Sequence, residues 1–286
     1  MSATAVSFLA PAKLNLSLQV FGKRPDGYHH IRSVMVPVSL YDDVTVEEAR
    51  AGISVECDMP GVPTDASNSC HKAAALFLAW AGTPDGVRIR IRKAIPAESG
   101  LGGGSSDAAA ALKGLIVLTG KQPPREALLS MAVRVGADVP FFLPGGAALV
   151  EGIGERLTPL PWNVPFYAVI VRPAFGFSTG EGYLRLGREP GAPPPRDRVP
   201  SFRTFSDVAA AVRNDFEAAW ESSHPEIAAI RRELRSAGAA AAGLSGSGSA
   251  VFGLFTSDGA AREARGKLSA GADGRKGRRF FVARSV

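Results

Sequence analysis

The chain has 286 residues, of which 45% are hydrophobic and 21% are charged, and its formal net charge is +6 at pH 7. This combination excludes an intrinsically disordered chain, which needs low hydrophobicity together with high net charge, and the length suits two domains of ordinary size. No apolar run approaches the roughly 18 residues that span a bilayer, and a basic balance favours partners that carry negative charge.

The first half of the sequence alternates between strand and helix patterns. Apolar residues recur at every second position from Leu14 to Val20, which predicts a half-buried strand, and Pro25-Asp26-Gly27 predicts a turn after it. Further short strands are predicted at 34–38, 44–46, 53–55 and 88–92. Helices are predicted at 70–81, 106–118 and 125–135, and Gly82 and Gly136 stand where a helix-ending glycine is expected.

The texture of the sequence changes after about residue 157. Residues 187–204 are rich in proline, which predicts an exposed excursion. Strands are predicted at 166–171, 250–255 and 280–283, and helices at 205–220, 225–237 and 259–268. Because strands and helices mix without a regular β-α-β repeat, we predict an α+β chain with two lobes, residues 1–157 and 158–286.

A glycine-rich segment lies between the strand that ends near Arg92 and the alanine-rich helix that follows. Its residues are Pro96, Ala97, Glu98, Ser99, Gly100, Leu101, Gly102, Gly103, Gly104, Ser105 and Ser106. Glycines remove the side chains that keep a backbone away from a ligand, and they permit positive φ. Since a helix start offers free N–H groups and the positive end of the helix dipole, this segment predicts a phosphate-binding loop.

Spacing separates this segment from two common phosphate loops. It contains no Gly-Lys-Ser or Gly-Lys-Thr, which excludes a Walker A loop, and Ser105 stands where the last glycine of a dinucleotide fingerprint belongs. A flexible linker is the alternative interpretation, but a linker does not normally run directly into a strong helix. Ser105 and Ser106 suit helix caps or ligands.

Three segments in this order resemble the signature motifs of the GHMP kinases, a family named after galactose, homoserine, mevalonate and phosphomevalonate kinases. They are PAKLNL at 11–16, PAESGLGGGSSDAA at 96–109 and GLSGSGSAVF at 243–252. The resemblance implies a two-lobed α+β fold, with an N-terminal lobe like domain 2 of ribosomal protein S5 and a ferredoxin-like C-terminal lobe. It also implies ATP as co-substrate, bound by residues 96–106, and Mg²⁺ as the accompanying cation, with no metal ligand identified.

Further segments are similar to one branch of this family, which phosphorylates an alcohol carrying a cytidine diphosphate in the non-mevalonate synthesis of isoprenoid precursors. They are DGYH at 26–29, GADVPF at 136–141 and EGIGERL at 151–157. The resemblance implies an ATP-dependent phosphotransferase with an alcohol acceptor. Homoserine and mevalonate kinases are the alternatives within the family, but the Tyr-His turn has no evident task with an acceptor that lacks a base.

The resemblance implies a catalytic pair, with Asp138 accepting the proton of the substrate hydroxyl and Lys13 beside it. Taken from the residues alone, Lys13 is typical of a solvated lysine on the polar face of a strand, and Asp138 of a turn. A nearby ammonium would keep the aspartate ionised and would offset charge on the transferred phosphoryl group. The implied pairing is therefore chemically coherent.

The resemblance also implies residues that bind the acceptor. Tyr28 would stack on the cytosine and His29 would recognise its polar edge, while a tyrosine packed on its own hairpin is the alternative for Tyr28. Asn15 and Thr179 would line the acceptor site together with Asp138.

Two further features complete the implied site. Asn68 would meet the adenine or ribose of ATP, although its surroundings, Ser67-Asn68-Ser69-Cys70, depart from the family's Asp-Asn-Leu. Gly246 and Gly248 of the third motif would allow close packing of one lobe on the other near the phosphates, or would form a tight turn only.

A basic nucleic-acid-binding protein is the alternative from a different functional class. It is suggested by the net charge and by the basic run Arg275–Arg279, for which a solvated strand end is the plainer interpretation. Arg88, Arg90 and Arg92 form one strand face, which suits anionic substrates or simple solvation. Since no RNP, KH or helix-turn-helix pattern is present, we expect small-molecule partners, ATP and a cytidine diphosphate alcohol, without nucleic acid or membrane, in a monomer or homodimer.

The start of the chain lacks the basic region of a secretory signal. Two cysteines, Cys57 and Cys70, exclude a disulfide framework and have no metal-binding spacing, and no cluster of cysteine and histidine predicts a zinc site. The cytoplasm is therefore the expected compartment.

Overall fold

A computed structural model describes residues 4–83, 86–194, 198–270 and 277–286. Its strands are Ala5–Lys23 (β1), His29–Ala49 (β2), Ile53–Cys57 (β3), Gly86–Arg92 (β4), Ala148–Gly152 (β5), Arg156–Pro159 (β6), Tyr167–Arg172 (β7), Arg213–Asn214 (β8), Ala241–Leu244 (β9), Val251–Phe255 (β10) and Arg279–Arg284 (β11). Its helices are Ser69–Ala81 (α1), Gly103–Thr119 (α2), Arg125–Val135 (α3), Val139–Phe142 (α4), Thr179–Leu186 (α5), Phe205–Ala210 (α6), Phe216–Trp220 (α7), Pro225–Ser236 (α8) and Asp258–Ala270 (α9). Within the described ranges no helix combines the length and apolarity needed to cross a membrane.

Packing divides the chain into two compact units that alternate along the sequence. Unit 1 comprises Met1–Ala12, Tyr41–Ala97 and Gly102–Gly145, and unit 2 comprises Lys13–Leu40, Glu98–Leu101 and Gly146–Val286. The long strands β1 and β2 run through both units, and the glycine-rich segment contributes residues to each. The lobe boundary expected between residues 157 and 158 stays a prediction.

Unit 1 is a sheet portion covered by helices. The C-terminal half of β2 pairs antiparallel with β4, and β3 pairs parallel with β4. Ile89 and Ile91 of β4 are buried, whereas the arginines between them are exposed, because side chains alternate across a strand. Helix α1 packs on α2, and small residues let α2 approach the sheet closely. A Cβ at Gly114 would lie 2.6 Å from Val46 Cγ2.

Unit 2 combines a second sheet portion with a separate four-stranded sheet. The N-terminal half of β2 pairs antiparallel with β5, β5 pairs with β6, and β1 pairs parallel with β8. The separate sheet is antiparallel in the order β11-β7-β10-β9. Helices α8 and α9 pack on it and bury Ile227, Ile230, Leu234 and Leu268. The predicted α+β class is confirmed.

Two strand predictions need correction. The strand at 14–20 was expected to be half-buried, but Lys13 and Asn15 on one face of β1 are as buried as Leu14 and Leu16 on the other. The strands expected at 34–38 and 44–46 are one continuous strand, β2. Periodicity does not show that the polar face of β1 is also covered, since that depends on what packs there.

Helix boundaries also differ from the sequence prediction. Helix α2 begins at Gly103, not at Ser106. The helix expected over 205–220 is broken into α6, β8 and α7, because Asn214 accepts a hydrogen bond from Phe216 N at 2.9 Å and Val20 N donates to Asp215 Oδ2 at 2.9 Å. Side chains that bind nearby backbone in this way compete with helix. Elements α4, α5, β5, β6, β8 and β9 were not predicted.

The two predicted basic features have different outcomes. On β4, Arg90 forms ion pairs with Glu47 and Glu56, and Arg88 lies 3.6 Å from Glu56, so this face is balanced by acids. Residues 275 and 276 of the C-terminal basic run lie outside the described residues.

Candidate active site

The glycine-rich segment has the backbone of a loop that leads into an uncapped helix. Gly100 and Gly102 have positive φ, at 75° and 73°, and Glu98 adopts φ 51°, which is uncommon for a residue with a side chain. Gly102 stands at the N-cap position of α2, and among the described residues no side chain caps this helix start. The first N–H groups of α2 are thus available to an anion.

In unit 1, the start of α2 is closely packed at Gly103 and open at Gly104. A Cβ at Gly103 would lie 3.0 Å from Ile95 Cγ2 and 3.1 Å from Lys93 Nζ. For a Cβ at Gly104, the nearest atom of the described residues would be Ser69 Oγ, at 3.9 Å. Gly104 is exposed. A phosphate can therefore approach the backbone at Gly104, while Gly103 serves the packing of the protein itself.

Ser106 carries a buried hydroxyl in the second half of this segment. It is 1% exposed, and its Oγ has no hydrogen-bond partner in the described part of the chain. An unpaired buried hydroxyl is uncommon in folded proteins and needs an explanation. A hard cation that prefers oxygen ligands would provide one.

Asp138 stands directly before α4, in unit 1. Its backbone is in the right-handed helical region, and its side chain is half-buried. Two residues earlier, a Cβ at Gly136 would lie 3.7 Å from Ser105 Oγ, and α4 packs on α2. The segment that carries Asp138 therefore lies beside the first turn of α2.

A buried charged cluster lies beneath the same helix start. Lys93 Nζ donates to Asp42 Oδ2 at 2.5 Å and to Asp107 Oδ2 at 2.7 Å, and Asp42 Oδ1 accepts from the backbone N–H groups of Ala94 and Ile95. Burial raises the pKa of Asp107 to about 7, with repulsion from Asp42 adding to the effect and Lys93 opposing it. This cluster was not predicted, although Asp107 inside the second motif was a visible signal.

Lys13 and Asn15 form the polar side of β1 in unit 2. Lys13 is 2% exposed, and its ammonium donates to Asn15 Oδ1. Asn15 Nδ2 donates to Ser33 Oγ at 2.8 Å, and Asn15 Oδ1 also accepts from Gly246 N at 2.8 Å. The interpretation of Lys13 as a solvated surface lysine is therefore wrong, because the residue is buried. A buried ammonium needs hydrogen-bond partners such as Asn15.

The third motif packs backbone to backbone on the part of the glycine-rich segment that belongs to unit 2. Ala250 N donates to Ser99 O at 2.9 Å, and Ser245 Oγ donates to Gly100 O at 3.0 Å. A Cβ at Gly100 would lie 2.0 Å from Ser245 O, so only glycine fits there. Gly246 has φ 56°, which fits the tight-turn interpretation of this residue. The packing of one lobe on the other through Gly246 and Gly248 stays a prediction.

Tyr28 and His29 follow the turn between β1 and β2. Tyr28 is 57% exposed, which argues against a ring packed on its own hairpin. The His29 ring stacks on Tyr183 of α5, with centroids 4.8 Å apart and planes 12° apart. Burial, followed by the nearby charge of Lys23, lowers the pKa of His29, so its ring is neutral at pH 7. Tyr183 was not predicted, since no local pattern marks it.

The proline-rich segment lies next to the turn that carries Tyr28 and His29, which together with Tyr183 are called the aromatic group below. Lys23 N donates to Glu189 O at 3.1 Å, and Gly191 N donates to Lys23 O at 3.4 Å. Most described residues of the predicted exposed excursion at 187–204 are exposed, but Pro194 is buried and Pro200 and Phe202 are half-buried. The segment is also joined to the end of β1 next to the Tyr-His turn.

Two predicted site residues have structural partners of their own. Thr179 begins α5, and its Oγ1 lies 2.9 Å from Ser247 Oγ of the third motif. Asn68 caps α1, accepting from Cys70 N at 2.7 Å and donating to Pro63 O at 2.6 Å. The contacts of Thr179 with the acceptor and of Asn68 with ATP stay predictions.

Known proteins match this chain over almost its whole length. The GHMP kinases N terminal domain matches residues 68–146, and the GHMP kinases C terminal domain matches residues 200–273. A Geobacter metallireducens protein named 4-diphosphocytidyl-2-C-methyl-D-erythritol kinase is 42% identical over 94% of this chain and 96% of its own length. A Symbiobacterium thermophilum protein of the same name is 42% identical over 90% and 92%.

Solved structures agree with the sequence relatives. A crystal structure of 4-(cytidine 5'-diphospho)-2C-methyl-D-erythritol kinase matches with a TM-score of 0.78 and 35% identity, covering 98% of both chains. A homoserine kinase from Cytophaga hutchinsonii matches with a TM-score of 0.75 at 21% identity, covering 99% of this chain and 95% of the other, which shows the shared fold. The chain belongs to the GHMP kinases, within the family of the 4-diphosphocytidyl-2-C-methyl-D-erythritol kinases.

Proposed function

We propose that this chain transfers the γ-phosphate of ATP to the 2-hydroxyl of 4-diphosphocytidyl-2-C-methyl-D-erythritol, in the non-mevalonate route to isoprenoid precursors. The observation that carries this proposal is the 42% identity over 94% of the chain to a protein of that name. The second and third motifs lie within the ranges that the two GHMP kinase domain models match.

The glycine-rich segment is the proposed seat of the ATP phosphates. The uncapped N–H groups at the start of α2 would donate to phosphate oxygens, and the open space above Gly104 lets the phosphates approach the backbone. Pro96 to Ser106 thus form the ATP-binding loop, with Asn68 at the outer part of the nucleotide.

Mg²⁺ fits the hydroxyl of Ser106. Among the described residues no group of three or more histidine, cysteine or acidic side chains is arranged for a metal, and Mg²⁺ often takes few protein ligands and keeps several waters. When bound, Mg²⁺ would neutralise charge on the β- and γ-phosphates, and the unpaired Ser106 Oγ is the residue that would hold it.

Asp138 and Lys13 remain the proposed catalytic residues. Asp138 would accept the proton of the substrate's 2-hydroxyl. The oxygen of that hydroxyl would form a bond to the γ-phosphorus of ATP while the bond from the γ-phosphorus to the β-γ bridging oxygen breaks. The products are ADP and the phosphorylated alcohol. The buried ammonium of Lys13 would offset charge that spreads over the transferred group. Asn15 fixes that ammonium through its side-chain oxygen.

The aromatic group beside the β1–β2 turn is the proposed cytosine site. Tyr28 presents an exposed ring for stacking, and His29 presents a neutral ring whose nitrogens can exchange hydrogen bonds with a pyrimidine edge. Tyr183, stacked on His29, adds a second aromatic surface in the same place. Thr179 and Asn15 would line the rest of the acceptor site.

The experiment that tests this function compares acceptors with the purified protein. We expect ATP-dependent phosphorylation of 4-diphosphocytidyl-2-C-methyl-D-erythritol, detected by mass spectrometry and phosphorus NMR, at a kcat/KM far above those for homoserine and mevalonate. The Asp138→Asn variant controls for contaminating kinases. Efficient turnover of homoserine or mevalonate, without turnover of the cytidine alcohol, would overturn the proposal in favour of another GHMP kinase.

The expected compartment and assembly follow from the same proposal. We infer a cytoplasmic enzyme acting on small molecules, as a monomer or homodimer. Light scattering of the purified protein distinguishes these two states, and fractionation of the producing cells tests the compartment.

A further inference from the structure

Asn214 is a buried polar residue that the proposed mechanism does not use. It is 7% exposed, and it belongs to the short strand β8 in unit 2. Its amide nitrogen donates to two backbone oxygens of the third motif, Leu244 O and Gly246 O, both at 2.8 Å. Its amide oxygen accepts from Phe216 N at 2.9 Å. Each polar atom of this side chain therefore has a partner, which settles the orientation of the amide.

Gly246 is held by hydrogen bonds to both of its backbone polar groups. Asn214 binds its carbonyl oxygen, and Asn15 accepts from its N–H at 2.8 Å. The left-handed φ of 56° suits glycine. A Cβ at Gly246 would lie 3.1 Å from Lys13 Nζ, so the ammonium of Lys13 also rests against this residue.

These contacts link Asn214 to the proposed catalytic lysine in three steps. Asn214 binds Gly246, Gly246 binds Asn15, and Asn15 Oδ1 accepts from the Lys13 ammonium. The linked groups are buried: Lys13 and Asn15 are 2% and 1% exposed. Since packed interiors leave little room for compensation, a shift of Gly246 is passed to Asn15 and to the ammonium.

We propose that Asn214 is a positioning residue for phosphoryl transfer, which holds Gly246 and thereby fixes Asn15 and the ammonium of Lys13. The inference rests on the proposed function, because it acts through the role of Lys13. The polar atoms of the Asn214 side chain bind backbone groups of the protein itself. Its effect is therefore on the geometry of Gly246, Asn15 and the ammonium of Lys13.

The test replaces Asn214 with a residue of the same size that cannot donate. Asn214→Asp keeps an oxygen for Phe216 N but turns a second oxygen toward Leu244 O and Gly246 O, which displaces the third motif. We expect kcat to fall by about 10²-fold, the loss associated with misplacement of a catalytic group by about 1 Å. The fold-change in kcat should exceed the fold-change in the KM for ATP and in the KM for the acceptor. Asn214→Ser, which is shorter and uncharged, serves if the first variant does not fold.

A matched control separates positioning from loss of stability. Ile230 is fully buried in the core beneath α8 and has no place in the proposed site. Ile230→Ala is expected to lower the melting temperature at least as much as the Asn214 variant while kcat stays near wild type below the transition. An equal loss of kcat in both variants would assign Asn214 a structural role only.

A double-variant cycle gives the decisive readout. If Asn214 acts through Asn15, the Asn15→Ala and Asn214→Asp double variant is no slower than Asn15→Ala alone. Multiplication of the two losses would overturn the inference. Lys13→Met in the same assay separates failure of this inference from failure of the proposed function. An inactive wild type would refute the proposed function, and an active Lys13→Met variant would refute the role of Lys13. A near-wild-type kcat of Asn214→Asp would refute this inference alone.

Discussion

At the scale of single residues, the amide of Asn15 connects groups that are far apart in the sequence. It accepts from Lys13 and from Gly246, 231 positions away, and it donates to Ser33. A buried ammonium without partners would lose its proton or destabilise the fold. Asn15 thus lets β1 carry a positive charge inside the protein, where it has more electrostatic effect than in water.

The first prediction concerns the two proposed catalytic residues. Lys13→Met keeps the buried stem and removes the charge, and Asp138→Asn keeps the shape and removes the base. We expect each to lower kcat by about 10²–10⁴-fold while circular dichroism remains that of the wild type. Steady-state kinetics with the cytidine alcohol measures this. If either variant retained the kcat of the wild type, the replaced residue would have no catalytic role.

The second prediction concerns Tyr28. Because Tyr28 is exposed, Tyr28→Ala removes a stacking surface without disturbing the core. We expect the KM for the acceptor to rise by about tenfold, as expected for loss of one stacked base worth about 1–3 kcal/mol, with the KM for ATP unchanged. Leu184→Ala, at a 79% exposed apolar residue of α5, is the control. An unchanged acceptor KM would exclude stacking.

At the scale of elements, the two glycines at the start of α2, Gly103 and Gly104, differ in their surroundings. A Cβ at Gly103 would crowd Ile95 and Lys93, at 3.0 and 3.1 Å. At Gly104, which lies in the same helix, the described residues leave room for a Cβ. Alanine is a better helix former than glycine by about 0.5–1 kcal/mol. Gly104 differs from other open helical glycines because it lies in the first turn of a helix whose start has no side-chain cap among the described residues, where the close approach of an anion to the backbone is favoured.

The third prediction follows for Gly104→Ala. We expect the melting temperature to rise slightly and the KM for ATP to rise at least several-fold, because the methyl group occupies the proposed approach of the phosphates. Gly266→Ala is the matched control: Gly266 lies inside α9, and the residues that the structure describes leave open space at its Cβ position. It should gain stability without any change in KM. Equal kinetics of the two variants would place the phosphates elsewhere.

The fourth prediction concerns the cluster of Asp42, Lys93 and Asp107 below the same helix. The pKa of Asp107 is about 7 in the folded protein, above its ordinary value of 3.8. Between these two pH values the folded chain keeps a proton that the unfolded chain has released. The contribution of Asp107 to the free energy of unfolding is therefore largest below pH 4 and falls as the pH rises toward 7.

Asp107→Asn removes this titration. We expect the decline of the unfolding free energy between pH 5 and pH 7 to be shallower in this variant than in the wild type, as measured by urea unfolding. Glu263→Gln is the control, since Glu263 is fully exposed and its pKa is lowered by Lys267, so it is ionised throughout this range. Identical slopes for wild type and Asp107→Asn would show that Asp107 does not titrate there.

At the scale of the whole molecule, several arginines are in ion pairs, although the chain carries a net charge of +6. Arg278 pairs with Glu226 and Glu233, and Arg231 pairs with Glu217. Arg90 is likewise paired on β4. A protein that binds nucleic acid needs arginines and lysines that are free to replace counterions along a continuous surface.

The fifth prediction is that nucleic acid binds weakly and without a steep dependence on salt. Fluorescence anisotropy of a labelled oligonucleotide between 50 and 200 mM salt measures this. Affinity that fell by the roughly 10³–10⁵-fold typical of six to ten phosphate contacts would support the nucleic-acid alternative instead.

Particular elements show how far sequence patterns reach. The helix at 125–135 was predicted with its observed ends, because an amphipathic repeat bounded by breakers is local information. The helix expected over 205–220 was wrong in its middle, because Asn214 and Asp215 bind the third motif and β1. Those partners lie 30 and 195 positions away, so no window of sequence contains them.

The sequence by itself indicated the α+β class through the order of its strand and helix patterns, and it indicated the kinase family through the resemblance of three short motifs. The phosphate-binding role of residues 96–106 stays a prediction, which rests on a glycine-rich stretch placed directly before a helix. Only the tertiary structure decided that Lys13 is buried, that Asn214 and Asn15 hold Gly246 between them, and that Lys93 joins Asp42 to Asp107. The physical reason is that burial and charge pairing depend on which distant segments meet in the folded chain.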